Sequence, residues 1–285
     1  MDSWLMLGNC QVYGLAASLR LLNPKATINA ISFFDFKKDS AKNNSEIPKN
    51  SRVIVNPIFL ATDGVDLSVA RELHVIPSID FDAYHPDICY GYYNNAVLKG
   101  PMDTYHSMII LAAHELNIPK SKVRRFFSDE IFEQCGFYDV WNLARDKMFT
   151  RFRTYNLDIT KYFVGWGRSD AFMYTNNHPK IRCLFDIARL YLIANNVEIF
   201  ENDILPIDSL VNGPCYPIYP EIAERTGVRG SYLFKNTSQQ FLTLDQFIDA
   251  SFLVYGQLPR DSIKIEPLFK DRYERVKSVI KECIQ

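Results

Sequence analysis
The sequence predicts an α/β protein: a parallel-sheet subdomain over residues 1–100 and a mainly helical part over residues 101–285, packed together as one compact unit. Three observations carry this. Short β-branched or aromatic runs alternate with a helical repeat before about residue 90. The texture turns to amphipathic helices after Gly100-Pro101. No Pro/Gly/Ser-rich linker, internal repeat or low-complexity tract divides the chain.

In chain order, Trp4 to Leu7 is a short apolar run ending at Gly8 and reads as a buried strand. Val12, Leu15, Ala16, Leu19 and Leu22 recur at helical spacing, and Asn23-Pro24 stops that helix. Ile28 to Phe36, Arg52 to Asn56 and Val75 to Phe81 read as further strands. The lysine-rich stretch Lys37 to Asn50 is expected as an exposed loop or short surface helix. Beyond Gly100, helices are expected over Tyr105–Asn117, Ser121–Cys135, Tyr138–Tyr155 and Pro179–Asn195. Shorter ones follow at Pro220–Thr226, where Gly227 closes the helix, and from Thr243 to Tyr255, where Gln246 completes a capping-box pattern. A last helix is expected from about Pro267 to Cys283, and a strand over Tyr232 to Lys235.

Composition narrows function. Hydrophobic residues make up 47% and charged residues 23% of the 285, which excludes disordered and fibrous architectures. With 32 basic and 33 acidic residues the net charge is −1, so general nucleic-acid binding has no electrostatic basis. No apolar run reaches the ~18–20 residues a membrane span needs. Met1 to Cys10 has no basic n-region, so no secretory signal and a cytoplasmic location are expected. The six cysteines show no metal-ligand spacing and are expected as free thiols, five of them buried fillers. No metal site is expected.

Cys10 has a different setting. Gly8-Asn9-Cys10-Gln11 lies where the first strand becomes a helix, at the carboxyl end that faces the usual ligand crevice. Unpaired N–H groups at a helix start are expected to lower the thiol pKa, and Asn9 and Gln11 can supply amide donors to an oxyanion. The bland reading is an inert cysteine in a tight turn. Tyr84-His85-Pro86-Asp87 follows an expected strand, and Asp87 can orient an imidazole; a solvated polar turn is the competing reading. In Tyr105-His106-Ser107, a histidine in a first helical turn is kept neutral by the dipole, against a mere cap cluster as the alternative. Asn177-His178-Pro179 fixes a histidine at a helix entrance with Asn177 as cap. Lys120, Lys122, Arg124 and Arg125 form a basic cluster able to hold phosphates, or a solvated face.

Taken in order, Gly8 to Gln11, His85-Pro86-Asp87, Tyr105 to Ser107, Asn177 to Pro179, and Tyr219-Pro220 through Gly227 to Tyr232 resemble the WcbI-like polysaccharide-biosynthesis family over roughly residues 4 to 255. The resemblance implies an α/β subdomain embedded in a larger helical cradle, coenzyme A (CoA) binding, and acetyl transfer from acetyl-CoA to a sugar or glycan hydroxyl in capsule or surface-glycan biosynthesis. It also implies other polysaccharide-biosynthesis proteins as partners.

A more distant similarity is to SGNH-type esterases and acetyltransferases. Cys10 stands there at the nucleophile's place and His178-Pro179 matches the His-Pro, but Thr175 departs from the Asp of that pattern. The expected catalytic set is Cys10 with His106 or His178. Gly8, Asn9, Gln11, Tyr105, Ser107, Arg124 and Arg125 are expected on the CoA, with Tyr105 or Trp166 stacked on adenine. His85, Asp87 and Asn177 are expected on the acceptor. Two other classes remain open here: an acetyl-ester hydrolase using the same Cys/His groups, and a non-catalytic CoA- or glycan-binding protein.

Overall fold
A computed structural model of the chain describes residues 2–168, 170–259 and 261–284. It divides into two units, each discontinuous in sequence. The first comprises Met1–Asp80, Arg145–Met173 and Asn177–Val211; the second comprises Phe81–Ala144, Tyr174–Asn176 and Asn212–Gln285. The expected division at residue 100 therefore falls inside the second unit.

The first unit is built on a four-stranded parallel sheet. Its strands are β1 (Asp2–Gly8), β2 (Ala26–Ser32), β3 (Arg52–Val55) and β4 (Leu73–Val75), in the order β2-β1-β3-β4. β1 is central, pairing Trp4 with Ile28 on one side and with Arg52 on the other. Because both its faces are covered, Trp4 to Gly8 is continuously buried rather than alternating. On one face Leu5, Leu7, Val53 and Val55 meet Phe36, Ile47 and Phe59 in a closed apolar cluster. Elsewhere in this unit the Val12–Leu22 helix lies against the Ile181–Ala194 helix. Their approach is close: a Cβ on Gly14 would sit 2.7 Å from Leu184 Cδ1, which accounts for glycine in mid-helix.

Local chemistry explains where elements depart from expectation. β2 stops at Ser32, not Phe36, because the Ser32 hydroxyl accepts the Asp35 N–H at 3.1 Å and starts a helix over Phe33–Lys38. The lysine-rich stretch contains a surface helix, Ser40–Glu46, capped by Asp39. β4 ends at Val75, and Pro77, which lacks an N–H, follows one last ladder bond from Ile76 to Val55. The long helix of the first unit starts at Ile181, and its first N–H is held by the Asp208 carboxylate at 2.8 Å rather than by Asn177.

The second unit is mainly helical. The Met108–Glu115 helix is buried all round through Met108–Ala113, and the Leu244–Tyr255 and Lys270–Glu282 helices pack against it. Thr243 and Gln246 form the expected capping box, and Gly227, at φ 71°, closes the Pro220–Thr226 helix. The expected single helix over Ser121–Cys135 is two pieces, a 3-10 turn at Lys120–Phe126 and a helix at Asp129–Gln134. His106 and Ser107 precede their helix and instead pair antiparallel with Ile88 and Cys89. All six cysteines are free thiols; Cys215 is half-buried and Cys283 exposed, so neither is a buried filler. No helix among the described residues is long and apolar enough to cross a membrane.

Candidate functional site
The Cys10 turn forms as the sequence predicts. β1 ends at Gly8, the Asn9 side chain accepts the Gln11 N–H at 3.0 Å, and the Val12–Leu22 helix follows. Gly8 is needed for packing: a Cβ there would lie 2.9 Å from Val12 Cβ. Gly8→Ala is expected to destabilise the protein by about 1–3 kcal/mol through forced displacement of Val12, read as a lower urea midpoint.

Gln11 ties this turn to two distant segments of the same unit. Its Nε2 donates to the carbonyl oxygens of Ile79 at 2.8 Å and Asn177 at 2.9 Å, while its Oε1 accepts the Ile79 N–H at 3.0 Å. The buried amide is fully engaged, so Gln11 acts as a clamp rather than as an oxyanion donor. The clamp holds the backbone of Asn177, and with it the half-buried His178, beside the half-buried Cys10 turn.

The electrostatics of Cys10 overturn the expectation of a lowered pKa. Burial and the neighbouring Asp80 carboxylate raise the thiol to about 11, outweighing the backbone N–H groups of Cys10 and Gln11, which act in the opposite direction. Asp80 is itself paired with Arg151. At pH 7 the thiolate fraction is on the order of one in ten thousand. The gap beside the turn, lined by Gly8, Asn9, Asn56 and Ser78, is about 20 Å³, close to the size of one water.

His85, Asp87, Tyr105, His106 and Ser107 belong to the second unit and are buried there. Asp87 accepts the Ile109 N–H at 3.0 Å and the Tyr219 hydroxyl at 2.8 Å, and is also hydrogen-bonded by Ser107. Its bonds do not run to an imidazole, contrary to the expected orienting role. Burial raises its pKa to about 6 despite those donors. His85 bonds through Nε2 to the Tyr216 carbonyl at 2.9 Å, and burial lowers it to about 3. His106 bonds through both ring nitrogens, to Tyr255 Oη at 2.9 Å and the Leu98 carbonyl at 3.1 Å; burial lowers it to about 4. It is neutral as expected, but through burial, not a helix dipole. Ser107 caps the Met108–Glu115 helix, and Tyr105 is buried against Tyr90.

In the basic cluster Arg124 pairs with Asp245, Lys120 pairs with Asp249, and Arg125 lies over the Phe126 ring. The structure therefore brings together Gly8 to Gln11 with Asn177-His178 in one unit, and His85, Asp87, Tyr105, His106 and Ser107 in the other. Sequence reasoning placed Tyr219 in a motif without giving it a role and missed Tyr216; the two share a hydroxyl contact at 3.1 Å within the Asp87 network. Among the described residues no group of three or more His, Cys, Asp or Glu is placed to hold a metal ion.

An α/β unit with a cysteine at its first strand–helix junction and a His-Pro segment clamped beside it defines a class that comparison with known proteins makes specific. The family model described as "Polysaccharide biosynthesis enzyme WcbI" matches residues 3–198. The chain belongs to the WcbI family of polysaccharide biosynthesis enzymes. A solved structure of WcbI, described as the native protein without a disulfide bond between CoA and one of its cysteines, is similar over 100% of this chain and 99% of that one. The TM-score is 0.74 at 15% identity, a likeness of fold. No curated protein matches the sequence.

Proposed function
We propose that the protein is a CoA-dependent O-acetyltransferase that moves an acetyl group from acetyl-CoA to a hydroxyl of a sugar or glycan precursor for capsule or surface polysaccharide, working in the cytoplasm. The observation that carries this reading is the Gln11 clamp, which sets the His178 segment beside a cysteine turn at the carboxyl end of a parallel sheet. The solved WcbI structure is described by the relation of CoA to a cysteine, and Cys10 is this chain's counterpart in the reading.

The protonated state of Cys10 favours direct transfer over a cysteine-bound intermediate. The acceptor hydroxyl gives its proton to His178 as its oxygen attacks the thioester carbonyl. The developing oxyanion is held by the Cys10 backbone N–H; the C–S bond then breaks, and His178 returns the proton to the CoA sulfur. Cys10 shapes the space around that sulfur. His85, Asp87 and His106 contribute by holding the second unit in shape.

Calorimetry with CoA and acetyl-CoA, followed by acetyl transfer to candidate sugars, tests the proposal. The expected result is binding of both, loss of turnover by at least a hundredfold in His178→Ala, and retention of most turnover in Cys10→Ala. Absence of binding to either ligand rejects the transferase. Acetyl-ester turnover without CoA would instead identify a hydrolase.

A further inference from the structure
In the first unit a cleft of about 590 Å³ opens between the Thr160–Trp166 and Ile181–Ala194 helices. That volume lies in the range of small-molecule sites, unlike the gap beside Cys10. Its lining carries four cations, Lys161, Lys180, Arg182 and Arg189, against two carboxylates, Asp170 and Asp186. Arg182, Asp186 and Arg189 fall at i, i+4 and i+7 on one helix; Lys161 and Gly165 fall at i and i+4 on the other.

The cations are positioned but weakly satisfied. Arg182 reaches Asp186 only by a single contact, Nε to Oδ1 at 3.3 Å, and Asp186 already accepts Trp166 Nε1 at 2.8 Å. Arg189 pairs with Glu201, and Lys180 pairs with Asp170, both acids being mostly exposed. Lys161 has no carboxylate partner among the described residues; its ammonium lies 5.5 Å from the Tyr162 ring. Exposed pairs of this kind are weak and readily exchanged for a ligand anion. Half-buried Tyr162 and buried Trp166 and Phe172 supply the aromatic part of the lining, and a Cβ on Gly165 would meet nothing within 4 Å.

We propose that this cleft binds the phosphates and ring of a nucleotide-type ligand. Two arginines two turns apart and two lysines suit a diphosphate better than a single carboxylate, because guanidinium forks engage phosphate oxygens in pairs. The aromatic lining receives the base or sugar face. This chemistry is shared by the nucleotide end of CoA and by a nucleotide-linked sugar. Lys180 follows His178-Pro179 directly, so a ligand held here is anchored next to the segment that carries His178.

The test titrates the full-length protein with inorganic pyrophosphate, ADP, CoA and pantetheine, reading Trp fluorescence and heat. Wild type is expected to bind pyrophosphate and ADP saturably, and more weakly as salt rises. Lys161→Glu combined with Arg182→Glu is expected to lose at least tenfold in both affinities. Gly165→Leu, which fills open space and adds a better helix former, is expected to lose ADP while keeping its thermal midpoint. If CoA weakens in parallel and pantetheine does not, the occupant is the CoA nucleotide; if CoA keeps wild-type affinity, the occupant is a separate nucleotide, as on an activated sugar. No saturable binding of pyrophosphate or ADP, or wild-type affinity in both variants, overturns the proposal. Loss of turnover in His178→Ala leaves these titrations unchanged, so the two readings fail separately.

Discussion

Gln11→Glu is expected to cost roughly 3 kcal/mol or more at pH 8 and to abolish most turnover. The change is one atom. The new carboxylate can still accept the Ile79 N–H, but its second oxygen faces the Ile79 and Asn177 carbonyls where an N–H donor stood 2.8 and 2.9 Å away. Water does not relieve the clash, because Gln11 is buried. The substituted carboxyl is expected to take up a proton in the folded state, so its folded pKa rises above the unfolded value. The penalty is then small at pH 4–5 and grows as pH rises through the folded pKa. Gln11→Met, uncharged and of similar length, separates the lost bonds from the added charge. Urea midpoints of the three proteins at pH 5 and pH 8 check this; a glutamate variant as stable and active as wild type at pH 8 would remove the clamp from the account.

Acid is expected to loosen the second unit. His85 and His106 are held at about 3 and about 4, below the ordinary value of 6.5, because burial disfavours their cations. Above pH 6.5 both are neutral folded or unfolded, and their contribution is fully present. As pH falls below 6.5 the unfolded chain gains two protons that the folded unit refuses, so stability falls until the folded pKa values are reached.

Asp87 works the other way. Raised to about 6, it binds its proton in the folded state across pH 4 to 6 and offsets part of the loss. The net loss between pH 7 and pH 4 is on the order of 4 kcal/mol. The protection factors of the Met108–Glu115 amides, taken against the intrinsic exchange rate at each pH, should therefore fall steeply on acidification. His106→Gln is expected to be less stable at pH 7, since it disturbs bonds to Tyr255 and Leu98, yet to show a shallower pH slope. A flat profile in wild type would contradict the burial account.

Features written in short-range patterns were legible in the sequence. The turn at Gly8 to Gln11, the Thr243/Gln246 capping box and the Pro220-to-Gly227 helix each rest on residues within a few positions of one another. The Ser32-to-Asp35 cap was equally local, but the aromatic run Phe33 to Phe36 masked it as strand. What could not be read depends on partners far along the chain. The Gln11 clamp joins residues 68 and 166 positions apart, and Arg124 meets Asp245 across 121. The Cys10 thiol illustrates the same limit. A helix start is a local fact and lowers a pKa; burial and Asp80 are tertiary facts and prevail. Likewise no local signal says that His106 sits before its helix, because its strand partner is Cys89.

The discontinuity of the first unit also governs how the protein is made. The Val12–Leu22 helix presents Gly14 to a mate, Ile181–Ala194, that lies in a later segment of the chain. During synthesis roughly 160 residues separate the two, on the order of 10–30 s of translation. By the end of that interval all four strands of the sheet have been delivered, while the Gly14 face of the first helix still lacks its mate. That face is covered only when Leu184 reaches Gly14.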